Sequence, residues 1–145
     1  MKSEEKPIKI SIANCAGRSN TGQMSLEIAK KLDKALPYAN INCLPAIFPK
    51  LKPMDKFTEA DAIVVVDGCN EHCVLETIKL GGYKAAIHVS VDDTFGIEKT
   101  PGLDYDEKTL NETAEKVIVM VRELYEKLKE KKIQKTKTDN LNYDK

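Results

Sequence analysis

Residues 62–73 read Ala62-Ile63-Val64-Val65-Val66-Asp67-Gly68-Cys69-Asn70-Glu71-His72-Cys73. The run from Ala62 to Val66 is apolar at every position and holds three consecutive valines, which favour extended backbone because branched side chains fit a pleated surface. A strand that is apolar throughout, rather than at alternate positions, belongs in a parallel sheet covered on both faces. Asp67-Gly68 ends the run. Residues 71–80 then suit a helix, stopped by Gly81-Gly82.

The same pattern extends in both directions. Residues 8–13 alternate and are rich in isoleucine, which predicts a first strand. From Gly22 to Leu36, Met24, Ile28, Leu32 and Leu36 recur every fourth residue, so one helical face is apolar until Pro37 ends it. Residues 39–44 predict a short second strand. A proline-constrained loop follows (Pro45, Pro49, Pro53), with a helical turn near Asp55–Ala60. Residues 84–91 make a fourth strand, followed by a loop with Asp92, Asp93, Gly96, Pro101 and Gly102. A long helix is expected from about Tyr105 to Lys132, with Asp104 and Glu107 as a capping box and Leu110, Ala114, Val117, Ile118, Val121, Leu124 and Leu128 on its apolar face. After Ile133 the periodicity is lost and polarity is high, which predicts a disordered tail over 133–145 beside one domain over 1–132. Strands alternating with crossovers imply an α/β fold. We expect a single four-stranded parallel sheet, order 2-1-3-4, flanked by helices in the flavodoxin- or Rossmann-like manner.

The chain's 145 residues carry 23 acidic and 23 basic side chains, a formal charge of zero, so no net field draws it to nucleic acid or an anionic membrane. The Lys-rich stretch 127–137 is interleaved with Glu130 and reads as a solvated helix end. Tryptophan is absent, which leaves little for base stacking. No nucleic-acid or membrane partner is expected. The charged start lacks a signal-peptide pattern and no apolar run is long enough to span a bilayer, so the expected location is the cytoplasm. There thiols stay reduced, and clustered cysteines serve metal binding or redox work more often than structural disulfides.

All four cysteines fall at or just beyond the carboxyl ends of expected strands. Cys15 follows the first, Cys43 the second, Cys69 and Cys73 the third. In the order 2-1-3-4, strand 1 lies between strands 2 and 3, and neighbouring strands are about 4.8 Å apart. Ligands of open parallel sheets bind at this edge, where crossovers diverge to opposite faces. The four sulfurs can therefore converge, and a tetrahedral sulfur set suits zinc or an iron–sulfur centre. With Cys69 and Cys73 near a helix start, the dipole there is expected to favour their thiolates. Competing readings are four buried small hydrophobes, or a redox pair in which Cys15 or Cys69 is nucleophile and Cys73 the resolving thiol.

The first loop, Asn14-Cys15-Ala16-Gly17-Arg18-Ser19-Asn20-Thr21-Gly22-Gln23, could offer N–H groups to an anion, but it lacks the Gly-Lys-Ser/Thr of a nucleotide loop. A tight turn at Gly17 and a helix capped by Ser19, Asn20 or Thr21 is the plainer reading. His72 reads as a polar residue at a helix start and His88 as structural. Asp67 reads as a loop anchor, Asp92 and Asp93 as turn residues. No catalytic triad, paired glycosidase carboxylates or zinc-protease helix motif is present, and enzymatic activity stays open.

Three segments in this order resemble the DGC-domain family, small proteins described as zinc-binding and named for an Asp-Gly-Cys motif. Residues 15–23 resemble its Cys-x-Gly-x-Ser-x-x-Gly-Gln opening. Asn42-Cys43-Leu44-Pro45-Ala46 resembles its Cys-Leu segment, and residues 65–73 resemble the naming motif. The resemblance implies Cys15, Cys43, Cys69 and Cys73 as zinc ligands and brings no defined reaction. It does not cover the tail after Ile133.

Overall fold

A computed structural model describes residues 6–48 and 57–143. Strands β1 (Ile10–Asn14), β2 (Ala39–Ile41), β3 (Ala62–Asp67) and β4 (Ile87–Ser90) form one sheet in the order β2-β1-β3-β4. Every neighbouring pair is parallel. Helix α1 (Asn20–Ala35) links β1 to β2, α2 (Cys73–Leu80) links β3 to β4, and α3 (Val91–Phe95) with α4 (Glu107–Tyr143) completes the chain. The expected α/β architecture and strand order are what the structure has.

All six residues of β3 are buried, because β3 is internal and both its faces are covered. Alternation divides them. Val64 and Val66 join Ile10, Ile12 and Val89 beneath α1 and α4, against Met24, Ile28, Leu32, Leu110, Val117 and Val121. Ile63 and Val65 join Ala13 on the other face, against Ile47, Phe57, Val74 and Ile78. Burying each such aliphatic side chain contributes about 1.5–3 kcal/mol relative to exposure. Right-handed crossovers dictate the division. The chain moves from β1 outward to β2 through α1, and from β3 outward to β4 in the opposite direction through α2, so the two helices lie on opposite faces. A crevice opens where they part, between the carboxyl ends of β1 and β3.

Local chemistry sets the boundaries. The Ser19 hydroxyl accepts from Gly22 N–H at 2.9 Å and caps α1, as one of the three expected cap candidates does. Helix α4 is capped by Asp106 rather than Asp104. The Asp106 carboxylate accepts from the N–H and hydroxyl of Thr109 at 2.9 and 2.7 Å, and these bonds hold its pKa below the ordinary value. Strand β2 is shorter than expected, and residues 44–47 form a 3-10 turn because Pro45 cannot continue a ladder. Val91–Phe95 is a short helix where a loop was expected, ended by Gly96 at φ 69°. The helical turn expected near Asp55–Ala60 falls partly outside the described residues; 57–59 form a turn.

Helix α4 runs on to Tyr143, past the end expected at Lys132. No glycine or proline follows Gly102, and Lys, Glu and Gln are good helix formers, so nothing terminates it. The Thr136 and Thr138 hydroxyls bond back to the carbonyls of Lys132 and Gln134. The stretch 133–139 is exposed throughout, so it is a helix without a buried face.

Candidate functional site

Two loops meet at the β1–β3 crevice, and glycines let them touch. A Cβ on Gly68 would sit 2.8 Å from Gly22 Cα and N, and one on Gly22 would sit 2.5 Å from the Gly17 carbonyl oxygen. The loop after β3 therefore rests directly on the first turn of α1, which in turn rests on the loop after β1. Side-chain bonds fix the stack. Gln23 Nε2 donates to the carbonyls of Gly17 and Ala16 at 3.1 and 3.3 Å, and the Ser25 hydroxyl donates to the Cys15 carbonyl at 2.7 Å. Cys15 N–H continues the ladder to Val66 O at 3.0 Å. The glycines and the cap thus serve close packing, in keeping with the plainer reading of this loop.

The sulfurs stand on this frame. Cys15 and Cys69 are half-buried, Cys43 and Cys73 exposed, and all four are free thiols. Cys15 packs beside the cluster of Ala13, Ile63 and Val65, and its Sγ accepts from Gly17 N–H at 3.2 Å. Cys73, the first residue of α2, lies near enough to Cys15 and Cys69 for their charges to act on it. Burial pushes its thiol above the ordinary pKa, and Glu71, Cys69, Asp67 and Cys15 push the same way. The direction opposes the expected helix-dipole effect at Cys73: burial is its main cause, and the neighbouring negative charges add to it. Asp67 already occupies the positive end of α2, its carboxylate accepting from Val74 and Leu75 N–H at 2.9 and 3.2 Å.

Asp67 is itself held. Its side chain is 2 % exposed, and His88 Nε2 lies 2.9 Å from Oδ2. His72, at the N-cap position of α2 but with no side-chain capping bond, adopts a left-handed backbone (φ 51°), the sole positive φ outside glycine among the described residues. Such a conformation costs roughly 1–3 kcal/mol and needs a surrounding structure to impose it. Its ring meets His88 edge-on at 4.7 Å, and its Nε2 lies 3.1 Å from Asp93 Oδ2. Asp92 anchors the loop bearing Cys69, accepting from Asn70 N–H at 2.9 Å. Burial opposes its ionisation, but bonds from the Ser90 hydroxyl and the N–H groups of Asp93 and Asn70 outweigh that and lower its pKa.

A family model described as DGC domain matches residues 11–117. The chain belongs to the DGC domain family. Comparison with curated proteins and with solved structures finds no match. In this DGC domain the motif residues Gly17, Ser19, Gly22, Gln23 and Gly68 build the frame, while Cys15, Cys69 and Cys73 stand at the carboxyl ends of the two strands it joins. Family membership suggests a metal-binding role.

Cys43 stands apart. It follows β2, which pairs with β1 and not with β3, and it is exposed at the start of the 3-10 turn, where its carbonyl accepts from Ala46 N–H. It does not point into the apolar interior. Among the described residues, no three His, Cys, Asp or Glu side chains are already arranged to hold a metal ion. The donor set suits a thiophilic ion in chemistry: four reduced thiols, partly or fully accessible, at one sheet edge.

Sequence reading missed two residues here. Lys99 Nζ lies 3.4 Å from Cys69 Sγ, thirty positions away in the chain. Asn20, weighed only as a cap, instead grips the segment that carries Lys99. Its Nδ2 donates to Glu98 O at 2.8 Å and its Oδ1 accepts from Thr100 N–H at 2.6 Å. No helix among the described residues is long and apolar enough to cross a membrane.

Proposed function

We propose that this DGC domain binds zinc through Cys15, Cys43, Cys69 and Cys73, in a structural, sensing or carrier role. The observation that supports it best is that Cys15 and Cys69 lie near Cys73 at the carboxyl ends of β1 and β3, on loops whose backbone is packed too closely to admit a Cβ. Cys43, exposed on the same edge across β1, is the fourth donor and must approach the other three as the ion binds. Binding displaces the thiol protons, including the one that Cys73 retains more firmly than an ordinary cysteine. When bound, zinc would supply a cross-link between three chain segments; with four sulfur ligands it offers no open position for water.

The test is anaerobic purification, elemental analysis, and thiol titration with and without chelator. One zinc per chain, with thiols masked until chelation, is the expected result. Iron with labile sulfide would replace zinc by an iron–sulfur centre. Metal-free protein would dismiss the reading.

Lys99 beside Cys69 favours a second reading, thiol-based redox or sulfur-transfer chemistry. Its signature is one fast-reacting thiol near neutral pH in protein that holds no metal.

A further inference from the structure

We propose that Lys99 is the electrostatic partner of Cys69, stationed over the sulfur rim by Asn20, and that it makes this thiol selective for anionic reagents and strengthens metal binding. The second half rests on the zinc reading above; the first half does not. The geometry has three parts. Lys99 Nζ lies within hydrogen-bonding reach of Cys69 Sγ. The strand-like segment carrying Lys99 is fastened to the first turn of α1 by Asn20, whose backbone N–H also donates to Thr100 O at 3.2 Å, and by the bridge between Ser19 and Pro101. That same turn carries Gly22, against which Gly68 packs, so the platform holding Lys99 and the loop holding Cys69 share one support.

The charge arithmetic gives Lys99 work to do. Four thiolates around a divalent ion leave a net charge of −2, and Glu71 lies beside Cys73. No other Lys or Arg is among the hydrogen-bond partners of the four sulfurs in the described residues. A fixed ammonium offsets part of that charge and attracts an incoming anion. Asn20, buried and bonded at both ends of its amide, is a positioning residue for Lys99.

The test uses the full chain with Lys99→Gln, an exposed change that leaves the core untouched. In metal-free protein, the rate constants for iodoacetate and iodoacetamide at each cysteine are measured by peptide mass spectrometry. Their ratio reports the local potential, because the fraction of thiolate cancels. Lys99→Gln is expected to lower the ratio at Cys69 about three- to fivefold at low salt and to leave it unchanged at Cys43, with the difference shrinking as salt rises. Lys99→Arg should preserve the ratio, and Asn20→Ala should lower it in part. Zinc affinity, by chelator competition, should fall about three- to tenfold in Lys99→Gln. A ratio at Cys69 equal to that of the wild type overturns the proposal, as does undiminished affinity in protein that binds zinc. Wild-type protein that binds no zinc would defeat the zinc reading, and the alkylation ratio would still decide the role of Lys99.

Discussion

The two sides of the sulfur rim are built differently. On the β1–β3 side, Cys15 and Cys69 sit on loops whose backbones touch through Gly17, Gly22 and Gly68, and Cys73 begins a helix capped by a buried carboxylate. On the β2 side, Cys43 follows a three-residue edge strand and rides on a short 3-10 turn. Three thiols on closely packed backbone face one exposed thiol on a short edge segment, and among the described residues no three of these side chains are yet gathered around a common point. Binding through all four sulfurs, as proposed, therefore requires side-chain rearrangement on both sides of the rim.

The largest expected effect of breaking this contrast is at Gly68. Gly68→Ala would press a methyl group into the backbone of Gly22, separating the loops of Cys15 and Cys69. Chemical denaturation should show a loss of about 3 kcal/mol, because backbone on both sides of the contact cannot yield as a side chain can. A loss below about 0.5 kcal/mol would show that the two loops are not rigidly stacked.

The next test sets the two sides against each other. Cys69→Ser and Cys43→Ser should weaken zinc by similar factors, at least about tenfold each, because each removes one of four sulfur ligands. Full affinity in Cys43→Ser would leave a three-sulfur site confined to the β1–β3 side, with an open position.

A smaller effect is expected at Asp92, which ties the Cys69 loop to α3. Asp92→Ala should cost about 1 kcal/mol, the usual value for removing an acceptor from backbone N–H groups. Because the folded-state pKa of Asp92 is lowered, its contribution is complete above the unfolded value near 3.9 and is lost as pH falls through the folded value below it. Denaturation of wild type and Asp92→Ala should therefore differ at pH 6 and converge at strongly acid pH. A constant difference would contradict the assignment.

The smallest effect is expected at the far end of the molecule. Ending the chain after Ile133 removes, among the residues whose burial is described, only the exposed helix over 134–139, so thermal unfolding and zinc content should match the full chain. A loss of either would give the extension a part in the site.

What the sequence disclosed follows the range of the forces involved. Apolar periodicity is local, so β3, α1 and the buried face of α4 could be read directly, and crossover handedness then ordered the sheet. Loss of apolar periodicity after Ile133 does not end α4, because polarity alone does not stop a helix. The cap at Asp106 and the short helix at 91–95 depend on a few local hydrogen bonds, which composition does not reveal. At the rim, the strand-end positions of Cys15, Cys69 and Cys73 were legible from topology. Lys99 was not, because its approach to Cys69 depends on Asn20 gripping a loop nearly eighty residues away in sequence. The bonding of the Asp67 carboxylate to the start of α2 was equally hidden, as was the burial that, with Glu71, Cys69, Asp67 and Cys15 adding to it, raises the Cys73 pKa.

X-ray absorption at the zinc edge of the metal-loaded chain tests the central claim most directly. Four sulfur neighbours at about 2.3 Å are expected, falling to three when Cys43 is replaced by serine. A first shell dominated by nitrogen or oxygen, or a four-sulfur shell that survives the loss of Cys43, would contradict a site closed by thiolates from all three strand ends.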